Sequence, residues 1–195
     1  MTLESQARKE IDTQLAAVGW EVQDHRSMNL SMSAVAVREF PLVTGFADYM
    51  LYVDGKAIGV VEAKPAGHTL TGVEIQSEKY TSGLPDLLPA WSRPLPFAYE
   101  STGRESQFTN TLEPDFRSRL VFSFHRPEEL RRLVGLDEQL RSRLRHMPPL
   151  ERGRLWDVQY RAIQNLEVSL AANRPRALIQ MATGSGKTYT AFRTF

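Results

Sequence analysis

Two groups of residues in this chain have the types and the spacing to do chemistry. The first is Asp48, Glu62 and Lys64, carried by the stretch ADYMLYVDGKAIGVVEAK. An acid, a second acid after a gap, and a lysine two residues further on (D-x13-E-x-K) suit metal-dependent hydrolysis of a phosphodiester. Asp48 and Glu62 would hold Mg2+, which would acidify a bound water and stabilise charge on the phosphate. Lys64 would position that water and neutralise the developing charge. The second group is TGSGKT, Thr183 to Thr188. Gly184 and Gly186 let the backbone turn tightly, so that N–H groups of the loop from Thr183 through Ser185 aim at phosphate oxygens. Lys187 would reach the β- and γ-phosphates of ATP, and Thr188 would hold its Mg2+.

Each group has a bland counterpart. Charged residues at strand ends are routine, and a lone E-x-K more often marks a solvated strand end. The glycine loop is more specific, because it follows a predicted strand, RALIQMAT, and should open a helix. Its first position, Met181, departs from the full GxxxxGK[ST] pattern.

The carboxylates can cooperate only if the hairpin that carries them has the right register. Two apolar runs flank Asp54-Gly55 and read as a hairpin. On the second run Ile58, Val60, Glu62 and Lys64 alternate onto one face, and Ala57, Gly59, Val61 and Ala63 onto the other. Those small residues invite a helix to pack closely. A two-residue turn at Asp54-Gly55 would set Asp48 opposite Val61 and point the two acids to opposite sides. A three-residue turn at Asp54-Gly55-Lys56 sets Asp48 opposite Glu62, with Cβ atoms about 4.5–5.5 Å apart. The three-residue loop, or a bulge with the same effect, is therefore expected.

Around the hairpin the periodicities give a coarse plan. Leu3, Ala7, Ile11, Leu15 and Val18 form one apolar helical stripe, with Thr2 as N-cap and Gly19 as stop. AVAVREF reads as a strand, and TGVEIQSEKYTSGL as a helix ended by Gly83 and Pro85. PLPFAYESTGRESQFTN reads as two short strands about a Thr-Gly turn. Two short charged helices follow in RPEELRRLVGLDEQLRSRLRHMPP, then a longer helix in LWDVQYRAIQNLEVSLAANRP. Between Arg117 and Arg154 there are ten arginines against five acidic residues. That stretch is either a solvated helical linker or a stripe that tracks a phosphate backbone.

Composition narrows the classes. The formal net charge of +1 gives no global pull towards nucleic acid, so any such binding must be local. The absence of cysteine excludes disulfides and thiolate metal sites and suits a reducing compartment. The four histidines lie far apart without metal-ligand spacing. The N-terminus is no secretory signal, and no apolar run approaches the roughly 20 residues of a membrane helix. A cytoplasmic protein with no membrane partner is expected.

The hairpin resembles the PD-(D/E)xK nuclease core. Together with SFHRPEEL, LWDVQYRAI and ATGSGKT, in this order and spacing, the chain resembles the N-terminal part of the R (restriction) subunit of type I restriction enzymes. Ala47 stands where the nuclease family often has proline. The resemblance implies an α/β fold: a nuclease core with a mixed central sheet flanked by helices over residues 1–150, then the truncated start of a RecA-like P-loop domain over 151–195. It implies a Q-x3-Y motif at Gln76 and Tyr80, whose i, i+4 spacing shares a helical face, and a further acid on the first helix, best met by Glu10. Gln159 resembles the glutamine that reads adenine in superfamily 2 motors. The implied partners are double-stranded DNA and the methyltransferase and specificity subunits of a restriction-modification complex. The implied cofactors are Mg2+ at the nuclease site and ATP with Mg2+ at the loop. Hydrolysis of ATP needs a second acidic motif and an arginine finger, so the chain alone is not expected to be an ATPase. The alternative is a helicase-type ATPase whose front domain only binds DNA or a partner. A third possibility keeps the nuclease in another system, such as a type III-like enzyme or a repair helicase-nuclease.

Overall fold

The structure, a computed structural model, describes residues 3–43, 45–70, 83–136, 139–174 and 176–194. Thr2, Gln76, Tyr80 and the helix expected around the last two lie outside the described residues. The chain divides into two compact units, one of residues 1–112 and 116–136, the other of 113–115 and 137–195. Residues 137–150, read from sequence with the front domain, belong to the second unit.

In the first unit α1 (Leu3–Ala17) leads to a seven-stranded mixed sheet: β1 (Glu21–Asp24), β2 (Ala34–Leu42), β3 (Gly45–Val53), β4 (Lys56–Ala63), β5 (Phe97–Ser101), β6 (Ser106–Asn110) and β7 (Arg119–Val121), with α2 (Pro127–Val134) after it. Spatial order follows chain order; β1–β2 and β4–β5 are parallel and the other pairs antiparallel. Strand alternation sorts the apolar side chains into two cores. Ile11, Leu15, Trp20, Ala36, Tyr49, Leu51, Val61, Phe97, Tyr99 and Leu130 are buried on one face. Val35, Val37, Phe40, Met50, Tyr52, Val60, Leu95 and Ala98 are buried on the other.

The hairpin turn differs from the three-residue loop. Val53 pairs with Lys56 across Asp54-Gly55, both with left-handed φ (+50° and +72°), the combination a tight two-residue turn requires. The register then shifts: Tyr52 faces Ala57, but Leu51 faces Gly59, so Ile58 is the extra residue of a bulge. Ala57 explains where the bulge sits. Its N–H donates to Pro89 O and its C=O accepts from Trp91 N, both at 2.9 Å, which commits its backbone to the 89–91 segment. The bulge also flips the near end of β4. Ile58 packs with Val61 and Ala63, and Ala57 with Val60, the reverse of the faces that simple alternation assigns. Nor does Gly59 serve a packed helix. A Cβ there would lie 2.6 Å from Phe97 O and 2.9 Å from Phe97 Cβ, so its smallness lets β5 close on β4.

His125, in the SFHRPEEL stretch, is half-buried against the core. Its Nδ1 lies 2.6 Å from the Tyr99 hydroxyl, and its ring centroid 4.3 Å from that of Phe108. Burial holds its pKa below the usual 6.5, with Glu129 pulling it up and Arg119 pushing it down. The depressed value means the unfolded chain takes up the proton first as pH falls. This contribution to stability is complete above about pH 6.5 and is lost as pH drops through the lower folded value. Urea unfolding between about pH 5 and pH 8 should show that loss, and a His125→Phe variant a flatter profile. Identical slopes in the two proteins would remove the assignment.

The second unit holds α3 (Leu140–Arg145), α4 (Asp157–Ala171) and α5 (Lys187–Thr194). RALIQMAT is not a strand; a lone extended segment gains ladder hydrogen bonds only from a neighbour, and the described residues of this unit supply none. Several of the arginines between 117 and 154 are ion-paired: Arg131 with Asp54, Arg132 with Glu129, Arg141 with Glu113, Arg145 with Asp115 and Arg152 with Asp157. These pairs fit the solvated reading of that stretch better than a free basic stripe. No helix among the described residues is long and apolar enough to cross a membrane.

Candidate active site

Beyond the bulge Tyr49 faces Val61 and Met50 faces Val60; one more residue of that register sets Asp48 opposite Glu62. The tie is direct, since Ala63 N donates to Asp48 Oδ2 at 2.8 Å. On its other side the β2–β3 ladder skips Glu39 and Asp48, with Glu39 at φ +48°. Arg8, on α1, reaches that irregularity. Its guanidinium bonds Asp48 Oδ1 at 2.5 Å and also pairs with Glu4 and Glu39, each at 3.0 Å.

A second network fixes α1 to the sheet. Arg38 donates twice to Asp12, at 3.1 and 2.8 Å, and once to Asp24 at 3.1 Å; Tyr49 Oη donates to Asp12 Oδ1 at 2.8 Å. Burial first, then the bond to Asp12, drives the Tyr49 pKa well up, so the phenol keeps its proton. A cavity of about 650 Å³ opens beside this network, lined by Arg8, Arg26, Arg38, Glu39, Phe46 and Asp48 among others.

Lys64 follows the end of β4. Its backbone N–H donates to Ser101 O at 2.8 Å, and its ammonium pairs with Glu62 Oε1 at 3.2 Å; both side chains are about 15% exposed. Asp48, Glu62 and Lys64 thus meet at one end of the β3–β4 hairpin. Glu10 is elsewhere. Its side chain lies against Gly103 and accepts a 3.5 Å bond from Gln6, and no hydrogen bond or ion pair among the described residues joins it to the other acids. No group of three His, Cys, Asp or Glu side chains stands close enough to hold one metal ion among the described residues.

Sequence reading passed over Arg8 and Glu100. Glu100, on β5, is the register partner of Glu62 and only 6% exposed. Burial raises its carboxyl to about 7, with Lys64 drawing it down and Glu62 pushing it up. Its Oε2 has no hydrogen-bond partner among the described residues. One signal could have revealed it: a carboxylate inside the apolar run PFAYES, on the same alternating face as Ala98. Arg8 had no comparable signal, since on a helix it reads as a solvated face.

In the second unit the glycine loop opens α5, with Gly184 and Gly186 at φ +81° and +77°. Lys187 Nζ donates to Ala182 O at 3.1 Å. Gln159, 3% exposed, accepts from Trp156 N at 3.0 Å and donates to Ser185 O at 3.1 Å. Its amide braces the start of α4 against the loop. A Cβ at Gly186 would fall 2.3 Å from Gln159 Nε2, so that glycine is required by the brace as well as by its φ. Thr190 is buried there and its hydroxyl donates to Gly186 O at 3.1 Å.

Comparison with known proteins finds restriction-enzyme relatives of this chain. Residues 23–132 match the family model described as type I restriction enzyme EcoKI endonuclease subunit, second domain. Residues 152–195 match the model described as type III restriction enzyme, res subunit. The EcoKI endonuclease subunit of Escherichia coli is 27% identical over an alignment that covers 96% of this chain and 20% of that one. A solved fragment described as an HsdR subunit of a type I restriction enzyme from Vibrio vulnificus is 27% identical, with a TM-score of 0.50, covering 98% of this chain and 37% of that one. The chain thus spans about a fifth of the length of the curated relative it matches. With more than half of its residues inside the first model, the chain belongs to the family of type I restriction enzyme endonuclease subunits.

Proposed function

We propose that the first unit is a metal-dependent DNA endonuclease with a PD-(D/E)xK core, and that the second unit begins an ATP-binding motor of the superfamily 2 kind. The supporting observation is the bulge at Ile58, whose register, continued by one residue, sets Asp48 opposite Glu62, with the Lys64 ammonium 3.2 Å from Glu62. The donor set fits a hard divalent cation, because it is made of carboxylate oxygens and the chain has no thiolates. Asp48 and Glu62 would hold Mg2+; each Asp48 oxygen already accepts one bond and keeps a second lone pair. The ion supplies a water nucleophile near neutral pH and offsets charge on the phosphate. Lys64, held by Glu62, would donate to the water or to a phosphate oxygen. Arg8, released from Asp48 by a cation there, would be free to meet the neighbouring phosphate. The DNA strand would run through the cavity lined by Arg26, Arg38 and Phe46. Gln76 and Tyr80 remain candidates to contact DNA or support the metal, and Glu10 to join from α1. In the loop, Thr183 to Thr188 would cradle ATP phosphates. The partners would be duplex DNA with methyltransferase and specificity subunits, in the cytoplasm.

A second reading, a front domain that only binds DNA or a partner, draws on the Arg8–Asp48 ion pair, which would then be structural. Calorimetric titration of this chain with Mn2+ separates the two. Binding that disappears in Glu62→Ala is expected. Binding that ignores Glu62 would leave the second reading.

A further inference from the structure

We propose that Glu100 is a further acidic member of this site and shares the divalent cation with Glu62. The inference rests on the nuclease reading and extends it to a residue outside the D-x13-E-x-K pattern. Glu62 and Glu100 are register partners on adjacent parallel strands. The residues two before them, Val60 and Ala98, are buried in one core, and those one before, Val61 and Tyr99, in the other. Both carboxylates therefore leave the sheet on the same face. Glu100 is almost entirely buried, and its Oε2 has no partner among the described residues.

Such an oxygen is costly in a folded protein and calls for an explanation, a bound ion among them. A merely structural role would be filled better by leucine, which places no orphan oxygen in the strand. Nor is the position loose. Lys64 N bonds Ser101 O, Ser101 Oγ lies 2.8 Å from Ser106 Oγ, and Gly103 N donates to Ser101 Oγ at 3.0 Å. The end of β5 is thereby tied to both β4 and β6. The charged neighbours that act on Glu100 are Lys64 and Glu62, the other two groups on this strand end. Asp48, by contrast, is held by Arg8 and by Ala63 N. Glu62 and Glu100 thus form a second pair of carboxylates at this strand end.

The test is Mn2+ titration of this chain by calorimetry, in wild type, Glu62→Ala and Glu100→Gln, with melting followed in EDTA. Loss of a ligand should weaken Mn2+ binding by at least about tenfold in Glu100→Gln, as in Glu62→Ala, without lowering the melting temperature. Wild-type affinity in Glu100→Gln beside lost binding in Glu62→Ala would overturn the inference and leave the nuclease reading standing. No binding by wild type at millimolar Mn2+, or binding indifferent to Glu62, would remove that reading and this inference with it. Should Glu100→Gln unfold, Glu100→Ala, which adds no atom to the strand, is judged by the same affinities.

Discussion

Replacing Glu62 by alanine in the complete, assembled enzyme is expected to lower DNA cleavage at least about a thousandfold while leaving ATP-driven translocation near its normal rate. On the proposed reading Glu62 would ligate the ion, and it is also the 3.2 Å anchor of Lys64 and the register partner of Glu100. Losing one preorganised electrostatic group in an active site costs about a hundred- to a thousandfold. Removing a ligand and an anchor together should therefore reach the upper end of that range or exceed it. Lys64→Ala should give the same phenotype with Mn2+ binding largely retained, because on the proposed reading the lysine would act on the substrate and not on the ion. Translocation is spared because the nucleotide loop belongs to the other compact unit. Plasmid linearisation and triplex displacement read the two activities separately. Cleavage retained in either variant would reject the assignment of these residues. Translocation lost along with cleavage would show that the substitution disturbed more than the site.

The second large effect is on stability. Gly59→Ala is expected to destabilise the first unit by about 2–3 kcal/mol, the upper part of the range for overpacking a filled core. Alanine is ordinarily the better strand residue, since glycine loses more chain entropy, an advantage of roughly 0.5–1 kcal/mol. Here the added carbon would stand 2.6 Å from Phe97 O, and backbone cannot swing aside as a flexible side chain can. The steric penalty outweighs the entropy gain, and β5 must move off β4. That movement also separates Glu62 from Glu100, so Mn2+ affinity should fall with stability. Urea midpoints and the same titration measure both. A Gly59→Ala protein as stable as wild type would mean that β5 can retreat without cost, and the tight β4–β5 seam would lose its explanation.

The sequence by itself determined the long, periodic elements. The stripe of Ala7, Ile11 and Leu15 is α1, and the alternating runs around Asp54-Gly55 are the β3–β4 hairpin, because these patterns have a period that only one secondary structure can bury. It also proposed Asp48 and Glu62 as a pair, since only one of the two hairpin registers it allowed sets them opposite each other. Edge strands β1 and β7 escaped notice; they are only four and three residues long, and exist because neighbours supply hydrogen bonds. RALIQMAT shows the converse: an apolar run with strand propensity stays unpaired where the described residues supply no neighbouring strand. Tertiary structure alone decided how the register was reached. The tight turn follows from Asp54 and Gly55, but the bulge follows from Ala57 bonding to Pro89 and Trp91, more than thirty residues away in the chain. The same holds for Arg8 and Glu100. Spacing along a chain reports only neighbours within one element, whereas a carboxylate on β5 and a guanidinium on α1 meet the hairpin through a strand pairing and a helix packing that no local pattern encodes.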